Sequence, residues 1–369
     1  MDRPVLPPPE LLRRGLPPLA IGLFALCVAL AVGASAAAST LGFDFLAYHA
    51  AASRVLDGEP LYDMTFVEAG VFGLFFYPPT FGPLILPFGL LPDTVAVWTW
   101  TALLVGAFLA GVALLPLPAG VRWVVLLLAA LTWPVAYAIK LGQVGPILFL
   151  GFAAGWRWLE SDRWLGATVA LGAAIKIQPG LMLVWALLVG RRTAVIVGAV
   201  VLGVLAVVAT LVSGLAAWSD FLALVVRVSD PISTEHNVTP GAVVYQLGVP
   251  RGVAWTVQAA STGLVLLALI VAARRATPVA GYLVAVVASQ LVSPVLWDHY
   301  AMLLLLPVGW LLARGSWWAA IVPLVTPTLL VGVIPPAIYP VAFWAVLILV
   351  LGHGRRDVHD RLGVARATS

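Results

Sequence analysis

The sequence predicts an all-α polytopic membrane protein, and three observations predict it. Of 369 residues, 62% are hydrophobic and only 10% are charged, with a mean hydropathy of +1.05; soluble domains carry roughly 25% charged residues. Twenty basic and sixteen acidic side chains cannot solvate a globule of this length, so lipid must cover most of the surface. Apolar runs long enough to cross hydrocarbon recur along the whole chain. The net charge of +4 does not point to nucleic acid, because the basic residues sit singly or in pairs beside apolar runs, which is a topology signal. Cys27 stands alone inside the first run, which leaves no disulfide framework or cysteine-built metal site.

Residues 1–15 read as a Pro-rich cytoplasmic leader (Pro4, Pro7, Pro8, Pro9), residues 16–352 as the transmembrane domain and residues 353–369 as a basic cytoplasmic tail. The first run, Leu16 to Ala38, follows Arg13 and Arg14 and is long enough to span ~30 Å of hydrocarbon. Its small-residue end, Gly33 to Ser39, resembles a signal-peptidase site, but the run is longer than a signal h-region. The loop after it should be external. There the run 42–63 places Phe45, Tyr48, Ala52, Val55 and Leu56 at helical spacing with His49, Ser53 and Asp57 on another face. This predicts a short interfacial helix with Asp44 at its N-cap, ended by Gly58 and Pro60.

Further spans are expected near 94–115, 122–138, 143–158, 164–176, 178–190, 194–213, 253–272, 277–292, 298–313, 316–333 and 336–351, about twelve with the first. The apolar segment 75–92 holds five prolines and two glycines, which disrupt a regular helix. If it crossed, Arg157, Arg163, Arg191, Arg192, Arg274 and Arg275 would all fall outside. Read as re-entrant or interfacial, it leaves fifteen arginines inside and only Arg54, Arg227 and Arg251 outside, as the positive-inside rule requires.

That topology sends three polar turns to the outer side with Asp44: Lys140–Gln143, Lys176–Gln178 and Trp297–Asp298–His299. Ionisable groups beside short apolar spans line water-filled or protein-lined cavities. Asp44 is either a simple helix cap or, facing two lysines, a general base. Lys140 and Lys176 are the only lysines; they are either snorkelling anchors or holders of a phosphate-bearing ligand. His299 is either a buried neutral imidazole or a partner of Asp298 at the cavity mouth, where the indole of Trp297 and the phenol of Tyr300 are suited to stacking on a sugar. The loop 214–252 adds Asp220, Arg227, Asp230, Glu235, His236 and Asn237, the last in a formal glycosylation sequon. Asp57-Gly58-Glu59 reads as a turn. No zinc-spaced His/Cys cluster, Asp-x-Asp pair, Walker loop or GxSxG elbow occurs.

Taken in order, Asp44, the helix from Tyr48 to Leu56 followed by Gly58 and Tyr62, and Phe76-Tyr77-Pro78-Pro79 resemble a known family. So do Gly142-Gln143, Lys176 with Pro179, the Asn237 loop, and Ser293-Pro294 through Trp297-Asp298-His299. The family is that of the polyprenyl-phosphate-mannose-dependent α-mannosyltransferases, glycosyltransferase family 87 of the GT-C superfamily. The sequence departs from its pattern at Val144, at Tyr300, where a second His often stands, and at Asn237-Val238-Thr239.

The resemblance implies a GT-C-type bundle that moves mannose from a polyprenyl-phosphate donor to a glycolipid or glycan acceptor on the outer face, with inversion and without metal or other cofactor. It implies Asp44 as catalytic base, Lys176, Lys140 and His299 on the donor phosphate, and Tyr48, His49, Tyr77, Gln143, Gln178, Asn237, Trp297 and Asp298 on sugar or acceptor. A related transferase using arabinose or glucose, or a lipid-sugar flippase, are the alternatives. A flippase needs polar access from both sides, whereas the ionisable groups cluster on one. The Arg-over-Lys, Ala-rich composition points to a bacterial plasma membrane. Oligomeric state leaves no trace in the sequence.

Overall fold

The computed structural model describes residues 10–65, 74–228, 232–234, 236–327 and 334–367. The leader prolines, Asp230 and Glu235 lie outside the described residues, as do the side chains of Arg227 and of the tail beyond Arg355. Among the described residues every regular element is helical; the strand-like pairing is one isolated bridge, Thr132 to Pro327.

The first run becomes α1 (Glu10–Ala37) and the loop helix becomes α2 (Phe43–Leu56). A positive φ of 80° at Gly58 ends α2, which makes Asp57-Gly58-Glu59 a turn. The segment 75–92 is extended to Pro78, makes a 3-10 turn at Pro79–Phe81 and ends in α3 (Gly82–Gly89). Eight helical residues rise only about 12 Å, too little to cross.

α4 (Asp93–Leu114) then matches the span expected at 94–115, but the one at 122–138 is broken. α5 (Ala119–Leu131) stops where Thr132 turns extended, and Pro134 in the first turn starts α6 (Trp133–Leu141) anew. α7 (Gly145–Arg157) leaves α6 at 118°. α8 (Asp162–Ile175), α9 (Leu181–Leu188) and α10 (Arg192–Ser213) follow.

The stretch 214–252, expected as a loop, contains α11 (Ala216–Val228) and α12 (Pro240–Gln246). Ala217, Phe221 and Leu224 recur at helical spacing and are buried, an apolar stripe that folds α11 onto the bundle. α13 (Arg251–Arg275), α14 (Pro278–Leu291), α15 (Leu305–Ala313), α16 (Ile321–Leu324) and α17 (Ile338–Ala367) complete the chain.

Among the described residues, five helices are long and apolar enough to cross a membrane: α1 from Arg14, α4, α10, α13 and α17 through Arg355. The bent pair α6–α7 makes a sixth when counted as one broken span. Of the other expected spans, 122–138 begins on the shorter apolar helix α5, and 178–190, 277–292 and 298–313 also fall on shorter apolar helices. The span at 164–176 falls on the 14 residues of α8, and 316–333 meets only a 3-10 turn and the four residues of α16, with 328–333 outside the described residues. α10 exposes Ile196, Val200, Val204, Val207 and Leu211 along one stripe, each more than half accessible, a surface suited to lipid rather than water. α14 is the opposite case: every residue from Ala280 to Leu291 is buried, so it runs through the centre, as a helix apolar on all sides must.

Short connections make α7–α8 and α9–α10 antiparallel hairpins. Arg191 reaches the carbonyl of Leu159 and the carboxylate of Asp162, so both arginine turns, Arg157–Arg163 and Arg191–Arg192, meet at one end. Gln143 at the start of α7 and Lys176 at the end of α8 therefore meet at the other. These two arginine turns and the Gln143 and Lys176 turns thus lie at opposite ends of the α7–α8 hairpin.

Candidate active site

Two glycine turns build one half of the site. Gly42 and Gly142 both take left-handed φ values, 74° and 77°, and the Gly42 N–H donates to the Lys140 carbonyl at 2.8 Å. A Cβ on Gly142 would stand 2.6 Å from Cβ of Phe45, so only glycine allows the turns to touch. Their contact sets Asp44 beside Gln143, whose Nε2 donates to Asp44 Oδ2 at 2.5 Å. The Tyr77 hydroxyl donates to Gln143 Oε1 at 3.0 Å, and the hydroxyls of Tyr48 and Tyr77 are 2.6 Å apart. Tyr62 donates to the Tyr77 carbonyl at 2.6 Å and Trp100 to the Gly142 carbonyl at 2.8 Å.

The cap position is corrected here. Gly42, not Asp44, is the N-cap of α2; Asp44 lies in the first turn, and its carboxylate answers Gln143 rather than the helix backbone. Burial pushes the Asp44 carboxyl above its ordinary value, opposed by His299, the Gln143 N–H and Lys176. Desolvation raises a carboxyl pKa because it penalises the charged form.

The other half comes from α8, α14 and the chain after α14. Lys176 leaves α8 in an extended conformation (φ −137°). Its Nζ donates to the Tyr300 hydroxyl at 2.5 Å and lies 4.3 Å from the Tyr300 ring centre and 5.3 Å from that of Tyr77. Gln178 donates to Ser293 Oγ at 2.8 Å, tying the Lys176 turn to the end of α14. Asp298–Leu304 is a 3-10 helix, whose three residues per turn aim Asp298, His299 and Tyr300 in three directions. Asp298 Oδ1 accepts the His299 backbone N–H at 2.7 Å and lies 3.6 Å from ring Nδ1. His299 Nε2 is buried and has no hydrogen-bond partner among the described residues.

Asn237, fully buried, holds this half in place. Its Nδ2 donates to the Pro294 carbonyl at 3.1 Å, and its Oδ1 accepts the N–H groups of Thr239 and Leu296, each at 3.0 Å. Lys140 stands apart from Lys176, with its ammonium 5.4 and 5.2 Å from the ring centres of Trp133 and Tyr137 on its own helix. His49 is buried, not on a polar face of α2; its Nε2 is 2.9 Å from the Leu91 carbonyl and its Nδ1 3.5 Å from Asp93. That turns it toward the α3–α4 connection. Trp297 and Asp298 are half-buried.

Sequence reasoning placed the Tyr300 phenol at the cavity mouth and Ser293 in a family motif, but gave neither the contact it makes, with Lys176 and Gln178 respectively. The signal for Tyr300 was its place beside His299; for Ser293 it was only adjacency to Pro294 at the end of an apolar run.

An apolar groove of about 450 Å³ adjoins the site, lined among others by Phe81, Leu84, Phe88, Leu103, Ile147 and Ile175. Leu84 and Leu103 are 41% exposed at its edge. At its other side Ile175 precedes Lys176, and Phe81 packs on Tyr77 with ring centres 5.1 Å apart.

No curated protein and no solved structure matches the chain. Residues 75–294 match Glycosyltransferase family 87. That match covers more than half of the chain and runs from the Tyr77 segment through both lysine turns and Asn237 to Ser293-Pro294. The chain therefore belongs to glycosyltransferase family 87 and is a membrane glycosyltransferase.

Proposed function

We propose that the protein moves mannose from a polyprenyl-phosphate-mannose donor to a hydroxyl of a glycolipid or glycan acceptor, at the outer face of a bacterial plasma membrane. The observation that carries this reading is a half-buried carboxylate, Asp44, within electrostatic reach of Lys176 and His299 at one end of the helix bundle. The acceptor oxygen attacks the anomeric carbon and gives its proton to Asp44 as the carbon–oxygen bond to phosphate breaks. Polyprenyl phosphate leaves with the electron pair, and the configuration inverts. Phosphate is a good leaving group, so one carboxylate suffices where glycosidases use two.

Lys176 neutralises the charge that grows on the departing phosphate, with His299 Nε2 as a second group at the same end. Lys140, held over its own aromatic residues, stands at the rim, where it meets the donor on entry. Trp297 and Asp298 meet the sugar or acceptor. The apolar groove is suited to the first isoprene units of the donor tail, because it opens between exposed Leu84 and Leu103 and ends next to Lys176. A polar phosphate at the cationic end and hydrocarbon along the groove bury each part of the donor in matching surroundings.

The test is incubation of the purified protein with polyprenyl-phosphate mannose, arabinose and glucose and a panel of glycolipid acceptors, with products read by mass spectrometry. Mannosylated product is expected; product only from another donor would reassign the sugar. Cysteine labelling at residues 44 and 192 in a variant lacking Cys27 tests sidedness. Equal labelling from outside would overturn the outer-face assignment.

A further inference from the structure

Four buried or half-buried side chains form one directed hydrogen-bond chain that ends on Asp44, and donor arithmetic fixes its direction. A carboxylate only accepts, so the Gln143 amide must present Nε2 to Asp44 Oδ2. Its Oε1 then faces the Tyr77 hydroxyl and must accept. Tyr77 has a single proton, which is spent on Gln143, so its oxygen accepts from the Tyr48 hydroxyl. The direction is Tyr48 to Tyr77 to Gln143 to Asp44.

The carboxylate selects the amide end that faces it, and the Tyr77 hydroxyl, by donating to Oε1, reinforces that orientation and anchors the far end of the amide.

We infer that Gln143, anchored at its far end by Tyr77 and Tyr48, is a positioning residue that sets the geometry and the protonation of Asp44, rather than a group that binds sugar. The inference rests on Asp44 being the base. Gln143 occupies Oδ2 and leaves Oδ1 to receive the acceptor proton. The N–H donor favours the ionised carboxylate, the form that a base needs. The charged and titratable groups facing Asp44 are Lys176 from the end of α8 and His299 from the 3-10 helix, with the phenols of Tyr48, Tyr77 and Tyr137 around them. Tyr77 is also a wall of the Lys176 pocket, so one side chain borders both halves.

The test compares Gln143→Met, Tyr77→Phe and Tyr48→Phe with the wild type. Modification of Asp44 by a hydrophobic carbodiimide, which takes the protonated carboxyl, is followed against pH by peptide mass spectrometry and needs no turnover. Loss of the N–H donor raises the pH at which Asp44 ionises, so the modification profile should move to higher pH in Gln143→Met. It should move less in Tyr77→Phe and least in Tyr48→Phe.

In parallel, kcat at neutral pH should fall on the order of tenfold to a hundredfold in Gln143→Met, with the donor KM little changed. Unmoved profiles in both Gln143→Met and Tyr77→Phe overturn the inference, and so does a rise in donor KM without a change in kcat. Turnover in Asp44→Asn would remove the base assignment instead, and the carbodiimide profiles would still decide whether the chain governs the carboxyl.

Discussion

The two halves of the site are built on different terms. On the Asp44 side the chain from Tyr48 through Tyr77 and Gln143 to Oδ2 is partnered inside the protein, and aromatic rings pack against it: Tyr48 and Tyr77 lie 4.9 Å apart, and Phe45 stacks on Trp100 at 5.1 Å. Around Lys176 the cation has one phenol oxygen, and His299 keeps a buried Nε2 without a partner. A chain partnered in this way holds one geometry, as a base must when it waits for a hydroxyl. An under-satisfied cationic pocket suits a group that arrives, gathers charge and leaves. The rigid framework of the second half is displaced outward, to the Gln178–Ser293 bridge and the Asn237 clamp.

Asp44→Asn should break the first half outright. Loss of a general base costs about 10²- to 10⁴-fold in rate, while the isosteric amide leaves the bundle folded and inserted; near-normal turnover would exclude Asp44 as the base. Burial holds the carboxyl above its ordinary 3.8, so the wild-type rate should fall as pH drops through that raised value. Measured kcat/KM against pH shows it as an acid limb.

Lys176→Met tests the second half. An electrostatic partner of the leaving group contributes on the order of 10²- to 10³-fold, and the loss should appear in donor dependence more than in acceptor dependence. An unchanged donor response would assign the lysine to packing.

Asn237→Ala should sharpen the difference between frame and pocket. It leaves backbone N–H groups of Thr239 and Leu296 without their acceptor, at about 1–3 kcal/mol for each one left buried. A lower unfolding temperature by tryptophan fluorescence is expected, with activity falling in step. Lost activity at unchanged stability would instead place Asn237 on the substrate.

The smallest effect should be that of Lys140→Met, a few-fold loss at most, because this ammonium sits over Trp133 and Tyr137 and not with Tyr300. A larger loss than in Lys176→Met would exchange the roles of the two lysines.

How much of this could be read along the chain differs from residue to residue. Asp44, Lys176 and His299 stood out because an ionisable group in an apolar run is costly and so seldom incidental. α2 was legible from periodicity, and so was its end at Gly58. Its cap was not, because Gly42 takes its conformation from contact with the Gly142 turn, about a hundred residues away. His49 looked like a member of a polar face, but it packs against the α3–α4 connection while Asp57 stays exposed. The split of 122–138 at Thr132 depends on a bridge to Pro327, and α11 emerged from an apparent loop once the bundle covered Phe221 and Leu224.

By itself the sequence determined that the chain is helical and suited to lipid, and which few charged groups in apolar runs remain for chemistry. These are properties of single residues and their local spacing, and they need no partner to be expressed. Tertiary structure alone decided which of two lysines meets Tyr300, that Gln143 addresses Asp44, and that Asn237 serves the frame. Each of these is a hydrogen bond or ring contact between distant segments. Its partner is chosen by close packing of helices, and no spacing along one segment records that choice.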